Sequence, residues 1–346
     1  MKKINLCNLE INIFKYLNAG RSANIIKVFI SFAVSRIINK PVVWGMPVSF
    51  SVEPTNYCNL RCPECPSGLG TLTRPLGFLD VEKFKSFVDQ VCKKSFYMQL
   101  YFQGEPFLHK DLPGMIAYAQ SKKIYVSIST NGHFISEKNI EEVFKIPPDK
   151  LIFSLDGLDE KSYQSYRIGG SFAKADKALR LLVETKRNKR KRKPFIELQF
   201  LVMKQNEHLV KDVLEYGEKL GVDKITLKTM QITSYENALK FLPKEKKYRR
   251  YTLAEHKFKT RGRLANHCFL LWKTSVVTWD GKVVPCCFDK DAQYQLGNVF
   301  ENDFSEIWKS VQYNRFRQRI LSGRKTVDIC TNCTSGLKVN VLSTEY

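Results

Sequence analysis

The chain has 346 residues, of which 43% are hydrophobic and 26% are charged, a composition typical of globular proteins that excludes a disordered chain. Its 56 Lys and Arg against 34 Asp and Glu give a formal net charge of +22. This excess predicts an anionic partner, such as a phosphorylated substrate, cofactor carboxylates, nucleic acid or an anionic membrane. Ten cysteines are too few for a disulfide-stapled secreted scaffold of this length, and their clustering predicts metal ligation.

The first predicted segment, residues 1–47, is amphipathic and helical and carries no secretory signal. Its most apolar stretch, 25–38, is too short to cross a bilayer. Lys27, Ser31 and Ser35 recur every four residues, which predicts one narrow polar stripe on an otherwise apolar helix. We expect this helix to pack on the domain that follows, and the alternative is a helix lying on a membrane surface. Both arrangements predict a cytoplasmic protein, which is membrane-associated in the second.

Residues 48–232 alternate short apolar, β-branched runs with amphipathic helices, which predicts a parallel sheet with right-handed crossovers. Six strand–helix units are fewer than the eight of a closed barrel, so the predicted fold class is α/β, a partial (β/α)6 TIM-like barrel. The predicted strands are 48–52, 98–102, 124–129, 151–155, 195–202 and 224–228, and the predicted helices are 80–92, 112–121, 137–144, 172–186 and 208–220.

Two strongly basic segments interrupt this pattern, one at 186–193 and the other within a predicted linker at 233–267. Such runs are usually solvated helix ends or loops. The second run also lies between the predicted barrel and a cysteine-rich C-terminal region, so its alternative role is to close over a bound anion.

Three cysteines, Cys58, Cys62 and Cys65, follow the first predicted strand with the spacing C-x3-C-x2-C. A loop of this length can wrap three thiolates around one corner of a cubic iron–sulfur cluster, and soft thiolates favour iron–sulfur or zinc. A structural zinc site requires four ligands, so three ligands on one loop predict a metal position left open for chemistry.

The cysteine loop after the first strand of a partial barrel resembles the radical S-adenosylmethionine (radical SAM) superfamily. Further similar motifs follow at strand ends, namely Gln-Gly-Glu-Pro at 103–106, Ser-Thr-Asn-Gly at 129–132, and Ser-Leu-Asp-Gly at 154–157, then Tyr-Arg at 166–167. Barrels place their chemistry at these ends.

Two residues depart from the family pattern. Gln103 replaces the first Gly of Gly-Gly-Glu-Pro, and Glu64 replaces the usual aromatic or apolar residue before the third cysteine.

The resemblance implies that the three cysteines hold a four-iron four-sulfur cluster whose fourth iron is chelated by SAM. It also implies SAM contacts, with the amine at Gly104 and Glu105, the ribose or carboxylate at Ser154 and Asp156, the carboxylate at Arg167, the adenosyl group near Met230, and SAM or substrate at Thr130. The catalytic residue beyond these contacts is left unassigned.

A second cysteine group populates residues 268–346, at Cys268, Cys286, Cys287, Cys330 and Cys333. Residues 274–285 predict a β-hairpin with Asp-Gly as its turn, which would bring its two ends close together. Neighbouring strand residues point to opposite faces, so only one of the adjacent pair at 286 and 287 is expected to reach a shared site. A cysteine elsewhere, Cys92, lies on a predicted amphipathic helix and is expected to be a buried small hydrophobe, and Cys7 has no partner pattern.

This C-terminal pattern resembles the shortened SPASM, or twitch, extension of radical SAM enzymes. The resemblance implies a small β-hairpin/helix iron–sulfur domain with one auxiliary four-iron four-sulfur cluster, held by Cys268, Cys286, Cys330 and Cys333. The Gly-x4-Cys spacing favours Cys286 over Cys287. A structural zinc site made of the same four thiolates is the alternative.

The activity that the resemblance implies is reductive cleavage of SAM to a 5′-deoxyadenosyl radical, fed by an electron donor such as flavodoxin or ferredoxin. That radical would abstract hydrogen from a substrate carbon. A cluster with four protein thiolates has no free iron, so it would carry electrons, and this favours net oxidation of a small anionic or sugar-like substrate.

Two other functions remain open. The first is a peptide-modifying radical SAM maturase, disfavoured because only 47 residues precede the predicted barrel and few follow Cys333, too few for a leader-binding domain. The second is a zinc-bearing nucleic-acid-binding module, whereas the enzyme is expected to bind no nucleic acid.

Overall fold

The computed structural model of the chain describes residues 11–262, 264–335 and 342–345. The strands are β1 (Ser49–Val52), β2 (Tyr97–Gln99), β3 (Tyr125–Thr130), β4 (Lys150–Ser154), β5 (Phe195–Val202), β6 (Lys224–Thr229), β7 (Tyr251–Ala254), β8 (Lys257–Thr260), β9 (Thr274–Val277), β10 (Lys282–Val284), β11 (Gly297–Asn298) and β12 (Leu342–Glu345). The α-helices are α1 (Ile11–Phe14), α2 (Ala19–Ile38), α3 (Pro66–Leu69), α4 (Val81–Val91), α5 (Leu112–Ser121), α6 (Ile140–Lys145), α7 (Glu160–Gln164), α8 (Phe172–Asn188), α9 (Val210–Leu220), α10 (Tyr235–Phe241), α11 (Leu270–Lys273), α12 (Phe304–Lys309), α13 (Val311–Gly323) and α14 (Asp328–Thr331).

Strands β1 to β6 are parallel and neighbour one another in chain order. Helices lie between successive strands, as right-handed crossovers require. The predicted α/β class and partial (β/α)6 barrel are confirmed. Helix α5 and strand β5 begin and end at the predicted residues, whereas β2 ends at Gln99 because the chain then leaves the sheet toward the cysteine loop.

The predicted C-terminal hairpin is present as β9 and β10, and it extends the barrel sheet. Strand β9 pairs in parallel with β1, placing Phe50 beside Ser275, and β10 and β11 follow in antiparallel pairing. On the opposite edge, β12 pairs antiparallel with β6. The sheet therefore has ten strands, in the order β11-β10-β9-β1-β2-β3-β4-β5-β6-β12. The cysteine-rich region thus hydrogen-bonds directly to the strand that precedes the first cysteine loop.

The core lies between the sheet and the helices on its outer face. On β5 and β6, the side chains of Leu198, Phe200, Ile225 and Leu227 pack there and are almost fully buried. Because side chains alternate along a strand, the residues between them face the concave inner side of the barrel. That inner side is largely polar, and we call it the lumen.

Helix α2 packs on the domain as expected, but its polar stripe faces inward. Ser31 and Ser35 are buried, and the Ser35 hydroxyl accepts a hydrogen bond from the Val42 amide at 2.8 Å. Lys27 alone of the predicted stripe is exposed. Within the described residues, none of the helices has the length and apolar character needed to span a bilayer. Cys7 lies outside the described residues, and Cys92 is half-buried against the core.

The two basic segments are structured. The first is the end of α8 and the loop after it, where Lys186 pairs with Asp223 at 2.5 Å and Arg190 to Arg192 are exposed. The second contains α10 and an antiparallel hairpin of β7 and β8. This predicted linker therefore has secondary structure of its own.

Candidate active site between two cysteine clusters

The first cysteine loop lies at the C-terminal end of β1 and keeps its thiols free. Burial raises the pKa of Cys58 to about 11 and of Cys62 to about 12, and the neighbouring thiols contribute to both increases. The three side chains share an apolar surround with Leu60 and Met230. Free, mutually close thiols in a protected loop are a donor set suited to iron–sulfur ligation, and ligation would release their protons.

The loop after β2 approaches the cysteine loop so closely that Gly104 is required there. Gly104 has φ +75°, and a Cβ at that position would lie 2.5 Å from the Thr55 carbonyl oxygen and 2.6 Å from that of Tyr57. The next amide, of Glu105, donates to the Tyr57 carbonyl at 2.7 Å. The substitution of Gln103 for the family's first glycine is compatible with this approach, because only Gly104 has the left-handed conformation.

Glu105 links the cysteine loop to the end of β3. Its buried carboxylate accepts hydrogen bonds from the Thr130 hydroxyl at 2.8 Å, the Asn131 amide at 2.8 Å and the Phe107 amide at 3.2 Å. Burial raises the pKa of Glu105, and these donors oppose the rise. Both carboxylate oxygens thus accept hydrogen bonds from the protein. Glu105 therefore holds this edge of the site in place, independently of any contact with SAM.

Asp156 and Arg167 form an ion pair beside the cysteine loop, with Arg167 Nε 2.6 Å from Asp156 Oδ2. The other Asp156 oxygen accepts from the Leu201 amide at 2.7 Å, and buried Asn206 donates to the Asp156 carbonyl at 2.9 Å. Burial lowers the pKa of Arg167, but the charges of Asp156 and Cys62 more than compensate and raise it well above its usual value. A fixed cation beside the thiols favours their thiolate form.

The remaining residues assigned from the sequence also lie near this loop. Met230, after β6, is fully buried in the apolar group that contains Cys62 and Tyr166. Ser154 ends β4 and is buried, and Thr130 ends β3, where it bonds Glu105. The structure therefore brings the assigned residues to one end of the barrel, and their individual contacts to SAM remain predictions.

The second cysteine group surrounds Arg324, a residue that the sequence pattern did not single out. The Arg324 guanidinium donates to Cys333 Sγ at 3.3 Å and to the His267 carbonyl at 3.1 Å. Burial raises the pKa of Cys268 and raises that of Cys330 to about 11, while the charge of Arg324 lowers both. A buried arginine among thiols compensates the negative charge that thiolate ligands bring to a cluster.

The geometry around Cys286 and Cys287, one of which is expected to be the cluster ligand, differs from the predicted one. Strand β10 ends at Val284, so strand alternation does not orient the two side chains. Cys286 is half-buried, whereas Cys287 is exposed, although the protein around its thiol still raises its pKa. Both lie within electrostatic range of Cys333, so the assignment of Cys286 as ligand stays a prediction.

A hydrogen-bonded bridge joins the two cysteine groups. Glu64, between Cys62 and Cys65, accepts from the Thr233 hydroxyl at 2.7 Å, and Asn332, just before Cys333, donates to the Ile232 carbonyl at 2.5 Å. The departure of Glu64 from the family pattern therefore has a structural role here.

A second connection runs through a buried ion pair between Glu53 and Arg74. Two nitrogens of Arg74 donate to the two carboxylate oxygens of Glu53 at 2.5 and 2.6 Å, and both side chains are almost fully buried. Arg74 Nε also donates to the Lys290 carbonyl at 3.0 Å, and the Trp279 amide donates to Glu53 at 3.2 Å. The pair thus holds the end of β1, the segment after the first cysteine loop and the segment after Cys287 together.

The lumen carries basic side chains that lack acidic partners. Glu197 pairs with Lys150, but within the described residues neither Lys228 nor Arg250 contacts a carboxylate. Arg250 donates to the Thr229 hydroxyl at 2.6 Å and the Thr334 hydroxyl at 3.1 Å, next to Cys333. Burial lowers the pKa of Lys228; Glu197 opposes this, and the charge of Arg250 lowers it further.

A tyrosine lies between the lumen and the second cysteine group. Tyr101 accepts a hydrogen bond from Gln99 at 2.6 Å, and burial raises its pKa, with Glu197 and Cys287 adding to the rise. The sequence signal for these lumen residues was weak, because a charged or polar residue in a short strand does not reveal which face of the sheet it occupies.

Among the described residues, no group of three or more His, Cys, Asp or Glu has the arrangement expected around a single metal ion. The ligand sets therefore rest on sequence spacing and on the chemistry of the thiols. Nine cysteines in the described part of the chain are free of disulfides.

Comparison with known families matches two domains in order along the chain. The model of the radical SAM superfamily matches residues 52–217, and that of the SPASM iron–sulfur cluster-binding domain matches residues 268–334. A radical SAM domain implies SAM and a four-iron four-sulfur cluster, and a SPASM domain implies auxiliary iron–sulfur ligation.

Similar proteins and solved structures cover most of the chain. A tungsten-containing aldehyde ferredoxin oxidoreductase cofactor-modifying protein of Pyrococcus furiosus is 26% identical over 82% of this chain and 86% of its own length. The antilisterial bacteriocin subtilosin biosynthesis protein AlbA of Bacillus subtilis is 26% identical over 77% of this chain, which covers 60% of that protein. Among solved structures, SuiB of Streptococcus suis bound to S-adenosylmethionine shares the fold, with a TM-score of 0.63, 16% identity and coverage of 96% of this chain and 83% of that one.

The cysteine loop at the end of β1, the motifs at the strand ends and the two domain matches agree in order and position. The chain belongs to the radical SAM superfamily and carries a C-terminal SPASM domain.

Proposed function

We propose that this radical SAM protein catalyses net oxidation of a small anionic substrate, bound in the lumen between the two cysteine groups. The observation that carries the proposal is the pair Lys228 and Arg250, two half-buried cations that no carboxylate contacts in the described chain, with Glu197 acting on Lys228 only at longer range. A desolvated cation without a counterion is costly, and an anionic group of the substrate would supply one.

Our assignment of residues within this activity follows the sequence. When bound, SAM with the first cluster supplies the radical that removes a hydrogen atom, and the auxiliary cluster supplies an acceptor for the second electron, while the proton leaves to solvent. We assign the first cluster to Cys58, Cys62 and Cys65, the auxiliary cluster to Cys268, Cys286, Cys330 and Cys333, and SAM binding to Gly104, Glu105, Thr130, Ser154, Asp156, Arg167 and Met230.

The protein's own part in this chemistry is to fix and shield the reacting groups. The Asp156–Arg167 pair and the Glu105 network hold three strand ends against the cysteine loop. Tyr101, with its raised pKa, remains a neutral hydrogen-bond donor at the inner end of the lumen. Lys228 and Arg250 would orient the substrate, so that the same carbon lies at the site of hydrogen removal in every turnover.

A small substrate also accords with the relative from P. furiosus, a cofactor-modifying protein that aligns along most of both chains. We further propose the segment boundaries 1–47, 48–232, 233–267 and 268–346, and an electron donor such as flavodoxin or ferredoxin, whose acidic surface would complement the net charge of +22.

Substitution of Lys228 by Met tests the substrate class. The test material is the dialysable fraction of a host-cell extract that is retained on an anion exchanger. We expect this fraction to stimulate the release of 5′-deoxyadenosine by the anaerobic enzyme. In the K228M variant the amount needed for half-maximal stimulation should rise about 10- to 100-fold, because a charge-assisted hydrogen bond is lost. Release without extract should change little.

The matched control is Lys211→Met, since Lys211 lies on the outer face with 86% of its side chain exposed. Stimulation that protease treatment of the extract destroys, or that is unchanged in K228M, would refute the small anionic substrate.

A peptide-modifying maturase is the second candidate, favoured by the similarity to a bacteriocin biosynthesis protein. Under that function the stimulating material would be a peptide, sensitive to protease, and a short precursor gene would lie beside the gene for this chain.

A further inference from the structure

Helix α2 is attached to the protein through polar contacts as well as through buried Val28 and half-buried Phe32. Arg21, 2% exposed, donates to the carbonyl oxygens of Cys92 at 2.6 Å and Lys122 at 3.0 Å. Asn24 donates to the Met46 carbonyl at 2.9 Å and accepts from the Met46 amide at 2.8 Å. An amphipathic helix on a globular domain normally buries its apolar residues, whereas α2 leaves four of its five isoleucines exposed.

The outward face of α2 is consequently apolar. Ile26, Ile30, Ala33 and Ile37 recur every three or four residues and are all exposed, with Ile26 at 58% and Ile37 at 82%. This spacing places them on one line along a helix of 20 residues, about 30 Å long. Exposed apolar residues scattered singly need no explanation, but a continuous line on one helix marks an interaction surface.

Basic residues border this face, and acidic residues are absent from the whole segment. Lys27 and Arg36 are both exposed. Around the helix axis, at 100° per residue, Lys27 lies about 100° to one side of Ile26 and Arg36 about 80° to the other. Lys15 and Lys40 are exposed just outside the two ends of the helix. No Asp or Glu occurs in the sequence between Glu10 and Glu53.

We propose that the outward face of α2 binds an anionic lipid surface, with the helix lying parallel to the membrane plane. The isoleucines would enter the boundary between headgroups and acyl chains, and Lys27 and Arg36 would contact lipid phosphates on either side. The polar contacts of Arg21 and Asn24 fix this orientation before any lipid is met.

A lipid surface fits the dimensions of the face better than a second protein does. A strip about 30 Å long and about 10 Å wide offers about 300 Å². Stable protein interfaces bury about 800 Å² on each partner. Phe29, at one edge, is 56% exposed but packs on Phe269 with ring centroids 4.8 Å apart, so beyond Phe29 the face meets the protein.

Sedimentation of the anaerobically purified full-length protein with lipid vesicles tests the proposal. We expect binding to vesicles of phosphatidylglycerol and phosphatidylcholine, weaker binding to phosphatidylcholine alone, and weakening by salt. The double substitution Ile26→Ser and Ile37→Ser should lower the partition coefficient at least about tenfold, because exposed apolar groups no longer enter the membrane. Lys27→Glu with Arg36→Glu should lower it comparably on the anionic vesicles alone.

The matched control is Leu239→Ser with Val311→Ser, which removes two similarly exposed residues, at 50% and 67%, from other parts of the surface. The control and both α2 variants should keep the iron content and 5′-deoxyadenosine release of the unchanged protein, so the outcome is independent of the proposed oxidation. The proposal is overturned if the protein binds no vesicles, if the isoleucine variant binds as well as the control, or if that variant instead dissociates a dimer.

Discussion

Replacing Cys62 with Ala is expected to reduce the release of 5′-deoxyadenosine to background. Cys62 is assigned to the first cluster and is buried beside Met230 and Tyr166, so its loss removes a ligand that solvent does not readily replace. Iron content should fall from about eight to about four atoms per chain, because the auxiliary cluster has its own thiolates. Anaerobic incubation with SAM and reductant, followed by chromatography and iron determination, measures both quantities.

Cys92→Ala is the matched control for this experiment. Its half-buried thiol donates to the Asp89 carbonyl at 3.6 Å, and it is assigned to neither cluster. We expect C92A to keep both its iron and its activity. If C62A released 5′-deoxyadenosine at a rate close to that of C92A, the assignment of the first cluster would be wrong.

Replacing Arg74 with Leu is expected to destabilise the protein by about 3–5 kcal/mol, because it leaves the fully buried Glu53 carboxylate without a counter-charge. For a chain of this size we expect the thermal midpoint to fall by about 5–10 °C. Because Arg74 also holds the Lys290 carbonyl, the variant should load the auxiliary cluster incompletely. Calorimetry and iron determination test the two effects.

Two further variants separate this effect from a general loss of charge. Lys177→Met breaks an exposed pair with Glu137 and should shift the midpoint by less than about 2 °C. The double variant Glu53→Leu with Arg74→Leu should recover part of the loss, because no isolated charge is left buried. A midpoint in R74L equal to that of K177M would show that the buried pair contributes no stability.

The sequence predicted those features of the fold that depend on local pattern. The alternation of strands and helices gave six parallel strands in chain order, and the Asp280-Gly281 turn gave the hairpin of β9 and β10. Gly104 was singled out only as a SAM contact, which stays a prediction; its φ of +75° and its close approach to the cysteine loop emerge from the structure.

Features that depend on contacts between distant segments escaped prediction. Pairing of β9 with β1 joins residues more than two hundred positions apart, and short apolar strands do not specify their partners. The orientation of α2 was not predicted, because Ser31 and Ser35 find buried hydrogen-bond partners that periodicity alone does not indicate. The roles of Arg74 and Arg324 likewise depend on the groups packed around them.

Electron paramagnetic resonance of the reduced Cys330→Ala variant, in which only the first cluster should be complete, tests most directly whether three cysteines leave one iron open to SAM. The account predicts that addition of SAM changes the g-values of this cluster, because three cysteines leave one iron free to bind the amine and carboxylate of SAM. A spectrum unaltered in position and intensity at saturating SAM would contradict the account.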